Sequence, residues 1–127
     1  MITSKLVLSV ATLALLFAAQ ARAHHSLAGE FDPTVTLDIQ GTITKVEWFN
    51  PHIWLYLDVV DAEGQTEAWQ CEMGSPNQMI RAGWKKDDLP PGTVIHTQAN
   101  PARDGSNTCS TRRISLDDGT VVSAFGS

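Results

Sequence analysis

Residues 36–60, TLDIQGTITKVEWFNPHIWLYLDVV, are the most informative stretch of the chain, because two successive segments in it have the apolar pattern of β-strands. The first segment runs from Thr36 to Phe49 and has Gly41 in its middle. Its apolar positions change parity, from Leu37, Ile39 and Ile43 to Val46 and Trp48. Such a change near a glycine predicts a bulge or a sharp bend in one long strand.

The second segment follows Asn50-Pro51, which interrupts the first, and it alternates from Ile53 to Val60. One face of this predicted strand carries Ile53, Leu55, Leu57 and Val59. The opposite face carries His52, Trp54, Tyr56 and Asp58. This alternation predicts a strand whose apolar face lies against a core and whose other face is directed outward.

The rest of the chain predicts further strands and a single helix. A turn at residues 62–65 leads into a third strand, Thr66–Met73. Ser75 and Pro76 are typical of a helix N-cap and a first helical position, so a short helix is expected to about Ala82. The remaining strands are expected at Thr93–Asn100, Cys109–Leu116 and Thr120–Ala124.

This order of elements predicts the fold class. A long bent first strand and a single helix between the third and fourth strands are the arrangement of the OB-fold. We therefore predict an all-β protein with one short helix, folded as an OB-fold-like five-stranded barrel.

The chain contains two cysteines, Cys71 and Cys109. In an exported protein an even pair favours a disulfide. The predicted third and fifth strands, which carry the two residues, are neighbours where an OB barrel closes. Two buried free thiols are the alternative. A cysteine-based metal site is disfavoured by the long spacing and the lack of a CxxC motif.

The N-terminus has the three parts of a secretory signal. Lys5 supplies a positive charge, residues 6–19 are almost entirely apolar, and Ala21-Arg22-Ala23 matches the small-x-small cleavage pattern. An uncleaved membrane anchor is the alternative, but the apolar run is shorter than the roughly 20 residues of a spanning helix. We expect residues 1–23 to be a signal peptide and residues 24–127 a single periplasmic or secreted domain with an N-terminal arm at 24–35.

The charge of this domain excludes one class of partner. The whole chain has nine basic and fourteen acidic residues. Loss of Lys5 and Arg22 leaves seven basic residues against fourteen acidic ones, a formal net charge of −7. Such a surface repels phosphate backbones, so nucleic acid is not an expected partner, whereas cations are mildly favoured. No later segment is apolar enough to span a membrane.

The chain resembles a family of small exported bacterial proteins classed as a domain of unknown function. The resemblance extends over nearly all of residues 24–127, and the Cys71–Cys109 pair is not part of it. It supports the fold and the compartment and implies no activity. The matching motifs are Ala23-His24-His25-Ser26, Phe31-Asp32, Val46-Glu47-Trp48, Asn50-Pro51-His52, Gly74-Ser75-Pro76-Asn77, Gly83-Trp84, Pro91-Gly92 and Asp104-Gly105-Ser106.

Three histidines are candidate metal ligands. Cleavage after Ala23 would make His24 the N-terminal residue, whose α-amine and imidazole can chelate one ion together. A further imidazole, from His25 or His52, would complete a three-nitrogen site of the histidine-brace type. Nitrogen ligands suit copper, with zinc and nickel as alternatives. A solvated N-terminal tail and a turn-capping role for His52 are the competing interpretations.

Other polar and aromatic residues are candidates for supporting roles. Asn50 and Glu72 lie beside expected turns and could orient an imidazole. Trp54 and Tyr56 form an aromatic pair on the face that OB-folds often use for ligands, unless the arm or the helix covers them. His96 has no evident partner and is expected to be structural or solvated.

Three functional hypotheses follow. The leading one is an extracytoplasmic metal carrier or buffer that uses His24, His25 and His52, with copper as the expected ion. The alternative is a ligand- or partner-binding OB module that uses Trp54 and Tyr56 without a metal. A small metalloenzyme, or an accessory subunit of one, is the third. No nucleophile motif or acid–base pair is evident, so the protein is expected not to be an enzyme.

Overall fold

The computed structural model describes residues 27–124. Six strands and two short α-helices occur in this part of the chain. A one-turn helix α1 lies at Leu27–Glu30 and helix α2 at Pro76–Arg81, and a 3₁₀ turn follows at Lys86–Asp88. The strands are β1 (Leu37–Glu47), β2 (Trp54–Val60), β3 (Thr66–Glu72), β4 (Val94–Pro101), β5 (Thr108–Leu116) and β6 (Val121–Ser123).

Strands β1 to β5 form a closed barrel. Strand β1 is antiparallel to both β2 and β4, and β2 is antiparallel to β3. Strand β5 is antiparallel to β4 and closes the barrel by pairing in parallel with β3. Strand β6 extends the sheet beyond β5. This is the predicted OB-fold-like five-stranded barrel, with α2 between β3 and β4 as expected.

The predicted irregularity of the first strand is a β-bulge at Thr44. Ile43 lies opposite Leu57, and Lys45 lies opposite Tyr56, so one extra residue separates the two pairs. Gly41 is not the bulged residue. A β-carbon at Gly41 would lie 3.1 Å from Val59 Cγ2, so the glycine permits close approach of β1 to β2.

The alternation of β2 sets the core. Ile53, Leu55 and Leu57 have at most 1% of their surface exposed and pack with the buried residues of the other strands. Trp54 and Tyr56, on the opposite face, are half-buried. Burial of large aliphatic side chains of this kind contributes about 1.5–3 kcal/mol each, so the β2 face is a main source of stability.

The barrel is closed covalently as well as by hydrogen bonds. Cys71 and Cys109 are directly opposite each other in the parallel β3–β5 ladder, with 4.5 Å between their α-carbons, and they form a disulfide. The predicted pairing is therefore confirmed. Both residues are fully buried.

Helix α2 begins as the sequence predicts. The Ser75 hydroxyl accepts a hydrogen bond from the Gln78 backbone, and the Gln78 side chain accepts one from the Ser75 backbone, which together form a capping box. The helix ends at Arg81, next to the predicted limit at Ala82. Gly83 follows with a φ of 93°, in the left-handed region that glycine enters freely.

The described part of the N-terminal arm is held on the β4–β5 hairpin. Phe31 is 2% exposed and forms an isolated bridge with Ala102. The Arg103 backbone N–H donates to the Glu30 carbonyl, and the Asn100 side chain donates to the Val35 carbonyl. Helix α1 was not predicted. Within residues 27–124, no helix has the length and apolarity needed to cross a membrane.

Candidate functional site

A histidine–carboxylate pair lies at one end of strands β2 and β3. His52 lies two residues before the start of β2, and Glu72 is the last residue of β3. The two ends are held together by a hydrogen bond from the Met73 N–H to the Ile53 carbonyl, while Trp54 lies opposite Glu72. His52 Nδ1 is hydrogen-bonded to Glu72 Oε1. The strand ends therefore bring together two polar residues that are 20 positions apart in sequence.

This bond defines the ring orientation of His52. An ionised carboxylate only accepts hydrogen bonds, so the Nδ1 atom carries the proton that it shares with Glu72. In the neutral ring the lone pair is then on Nε2, the atom that faces away from Glu72. The His52 side chain is 34% exposed, so this ring is partly accessible from solvent.

Glu72 is an unusual residue for a buried position. Only 5% of its surface is exposed. Burial raises the pKa of its carboxyl, the bond to His52 opposes this, and the nearby Glu30 carboxylate raises the pKa further. A buried acid with one strong partner is costly to retain for stability alone, so it marks a candidate functional position.

Glu30 shows that the arm passes close to this pair. Its charge acts on Glu72, and its carbonyl is fixed by the Arg103 N–H. The arm residues before Leu27, including the predicted ligands His24 and His25, lie outside the described residues. Sequence reasoning did not find Glu30, because nothing in the arm's local pattern shows where it packs.

No complete metal centre is formed within residues 27–124. Among these residues, no group of three or more His, Cys, Asp or Glu side chains is placed to hold one ion. Of the predicted ligands only His52 is described, and Glu72 is its hydrogen-bond partner. Asn50 is exposed, and within the described range its side chain makes no hydrogen bond.

The predicted ligand face of β2 adjoins the His52–Glu72 pair. Trp54 lies between Glu47 and Glu72 in the cross-strand register. The Tyr56 hydroxyl donates to Glu47 Oε2 at 3.0 Å, which raises the pKa of Tyr56. Lys45 pairs with Glu47 and has its ammonium 5.1 Å from the centre of the Tyr56 ring. Tyr56 is thus engaged within the protein, and Trp54 is the freer of the two rings for stacking.

His96 belongs to a different surface. It lies on β4 between Gln40 and Ser115, and its Nε2 is 3.4 Å from the Asp117 carboxylate. The side chain is 51% exposed. His96 is therefore a solvent-exposed imidazole on β4, whereas His52 lies next to the start of β2.

The class of protein is clear from these features: a small OB-like barrel that is closed by a disulfide and carries a histidine–glutamate pair at one end. The chain belongs to a family of unknown function (DUF6152), whose model matches residues 12–111. The predicted resemblance to a domain-of-unknown-function family is therefore confirmed. Comparison with curated proteins and with solved structures gave no significant match.

Proposed function

We propose that this protein is an extracytoplasmic metal-binding protein that carries or buffers copper through His52 and the N-terminal histidines His24 and His25. The observation that carries the proposal is the bond from His52 Nδ1 to the buried Glu72 carboxylate. Histidines that ligate metals usually have their second ring nitrogen hydrogen-bonded to a carboxylate or carbonyl in this way.

The His52–Glu72 pair has the chemistry that a ligand histidine needs. Hydrogen bonding at Nδ1 fixes the tautomer in which Nε2 is available to a metal, and it makes the imidazole a stronger donor. Because the bond to Glu72 already orients the ring, binding a metal costs less conformational entropy, and the partial exposure of the ring leaves it accessible. Glu72 in this role supports the ligand and does not itself bind the ion.

The N-terminal histidines would supply the remaining nitrogens. His24 precedes Glu30 by six positions, and Glu30 lies close enough to Glu72 to affect its pKa. The matched family region begins at residue 12 and so includes Ala23-His24-His25-Ser26. Both facts support a site in which the arm delivers the amine and imidazole of His24 to His52.

The signal pattern and the disulfide both support an extracytoplasmic compartment. Structural disulfides persist in oxidising compartments such as the periplasm and the extracellular space. The Cys71–Cys109 bond and the pattern of residues 1–23 therefore support export. Both cysteines are bonded, so neither is a thiol nucleophile, and this supports a carrier or buffer over an enzyme.

Copper is the favoured ion because amine and imidazole nitrogens bind Cu(II) more tightly than zinc or nickel. The net charge of −7 expected after signal cleavage also favours cations in general. Zinc and nickel are the alternative ions for the same donors.

A second candidate function is a ligand-binding OB module without a metal. The half-buried Trp54 on the outer face of β2, next to His52, favours it. The contacts of Tyr56 with Glu47 and Lys45 weigh against it, because a ligand that stacks on Tyr56 would have to displace Lys45.

Titration with Cu(II) of two histidine variants tests the proposal. We expect His52→Ala to weaken binding, because it removes the third nitrogen, and His96→Ala to leave binding unchanged. Cu(II) binding that is identical in both variants would show that His52 is not a ligand and would contradict the proposed site, whereas absence of Cu(II) binding by the unaltered protein would favour the ligand-binding module. Isothermal titration calorimetry gives the affinities, and paramagnetic resonance reports how many nitrogens the copper has.

A further inference from the structure

We propose that a groove on the outer face of β1, β4 and β5 is a second binding site, which takes a zwitterion of about the size of a dipeptide. The groove has a volume of about 320 Å³. Polar side chains from three adjacent strands line it: Asp38, Gln40, His96, Gln98, Arg113 and Ser115.

The register arranges these side chains in two rows across the strands. Gln98 on β4 lies between Asp38 on β1 and Arg113 on β5. His96 lies between Gln40 and Ser115 in the same manner. Residues that face each other in this way lie on one side of the sheet and can contact a common ligand.

Opposite charges occupy the two ends of the first row. Neighbouring strands are about 4.8 Å apart, so the backbones of β1 and β5 are separated by about 10 Å, with β4 between them. Within residues 27–124, neither the Asp38 carboxylate nor the Arg113 guanidinium forms an ion pair with another side chain. An acid and a base are therefore available at opposite sides of the same groove.

This separation sets the class of ligand. An extended peptide advances about 3.4 Å per residue, so the charged ends of a dipeptide fit between two groups at this spacing. Its ammonium would bind Asp38, and its carboxylate would bind the planar guanidinium of Arg113, which suits two-point contact with carboxylates. The Gln98 amide lies between them, where it can bond to the peptide group.

The groove is independent of the proposed copper site. Its charged ends lie on β1 and β5, whereas His52 and Glu72 belong to the ends of β2 and β3. Failure of copper binding would therefore not affect the groove, and failure of dipeptide binding would not affect the proposed metal function.

The test is titration of the full, disulfide-intact protein with Ala-Ala, followed by backbone amide NMR spectra. We expect saturable shifts on β1, β4 and β5. Asp38→Asn and Arg113→Gln should each weaken binding by about ten-fold, the effect of losing one charge-assisted hydrogen bond. Arg112→Gln is the matched control, because Arg112 is the exposed neighbour of Arg113 and does not line the groove.

Acetylated Ala-Ala, which lacks the ammonium group, provides a readout that needs no variant. It should bind about ten-fold more weakly than Ala-Ala to the unmodified protein, and its affinity should not respond to Asp38→Asn. Absence of saturable shifts with Ala-Ala would overturn the proposal. Equal losses in Arg112→Gln and Arg113→Gln would also overturn it, because they would show a general charge effect.

Discussion

His52 and Glu72 are hydrogen-bonded to each other where the start of β2 meets the end of β3, and the glutamate of this pair is almost completely buried. Isolated buried carboxylates oppose folding, whereas a carboxylate that orients a ligand histidine serves a function. The pair therefore supports the proposed role of His52 as a ligand, and substitution of Glu72 can separate that role from a purely structural one.

Glu72→Gln separates these two roles. Burial raises the pKa of Glu72, which means that the folded protein favours the protonated carboxyl. The stability that this provides is present at low pH and is lost as the pH rises through the raised pKa. Glutamine keeps an oxygen that can accept from His52 Nδ1 and removes the buried charge. We expect thermal unfolding at neutral pH to show no loss of stability, while Cu(II) affinity falls by about 10–100-fold. A large loss of stability with unchanged affinity would assign Glu72 a structural role.

The disulfide should make a large contribution to stability. The bridged residues are 38 positions apart, and closure of such a loop is worth about 4 kcal/mol in the chain-entropy model. Denaturant unfolding of the Cys71→Ser, Cys109→Ser double variant should show a loss of this order. Reduction of the unaltered protein is the control, and a loss below about 1 kcal/mol in both samples would contradict the prediction.

The apolar face of β2 should be sensitive to truncation. Leu55 is fully buried, so Leu55→Ala should destabilise the protein by about 2–5 kcal/mol through lost burial and a residual cavity. Val60, in the same strand, is 65% exposed, and Val60→Ala should change the free energy of unfolding by less than about 0.5 kcal/mol. Similar losses in both variants would show that the alternation does not define the core.

Export should expose His24 as the N-terminal residue. The apolar run of residues 6–19 and Ala21-Arg22-Ala23 favour cleavage after Ala23. Intact-mass measurement of protein recovered from an exporting host should give the mass of residues 24–127. A mass that still includes residues 1–23 would contradict cleavage at this position and remove the amine from the proposed site.

Much of the barrel is predictable because its strands carry local patterns. The alternation from Ile53 to Val60 identifies β2 and its buried face, and Ser75-Pro76 identifies the start of α2. The bulge is less predictable in position: parity shows that it exists, but pairing with β2 places it at Thr44 and not at Gly41. Register depends on contacts between strands, which no single segment specifies.

The site is less predictable than the barrel. Proximity to turns suggested Glu72 as a partner of an imidazole, but only the closed β2–β3 ladder brings it to His52. Asn50 had the same sequence signal, but among residues 27–124 its side chain forms no hydrogen bond. The segment that contains helix α1 and Glu30 has no periodic apolar pattern. Contacts with the β4–β5 hairpin hold it in place, and such contacts cannot be read from the local sequence.

The most direct test of the proposed function compares copper binding by two forms of the protein that differ only at the N-terminus. One begins at His24, and the other carries one added Met before it. In the proposed site the α-amine of His24 is a ligand, and the added residue converts it to an amide while every imidazole remains. We expect the extended form to bind Cu(II) at least about ten-fold more weakly, which corresponds to about 1.4 kcal/mol. Equal affinity of the two forms would contradict a site built on the N-terminal amine.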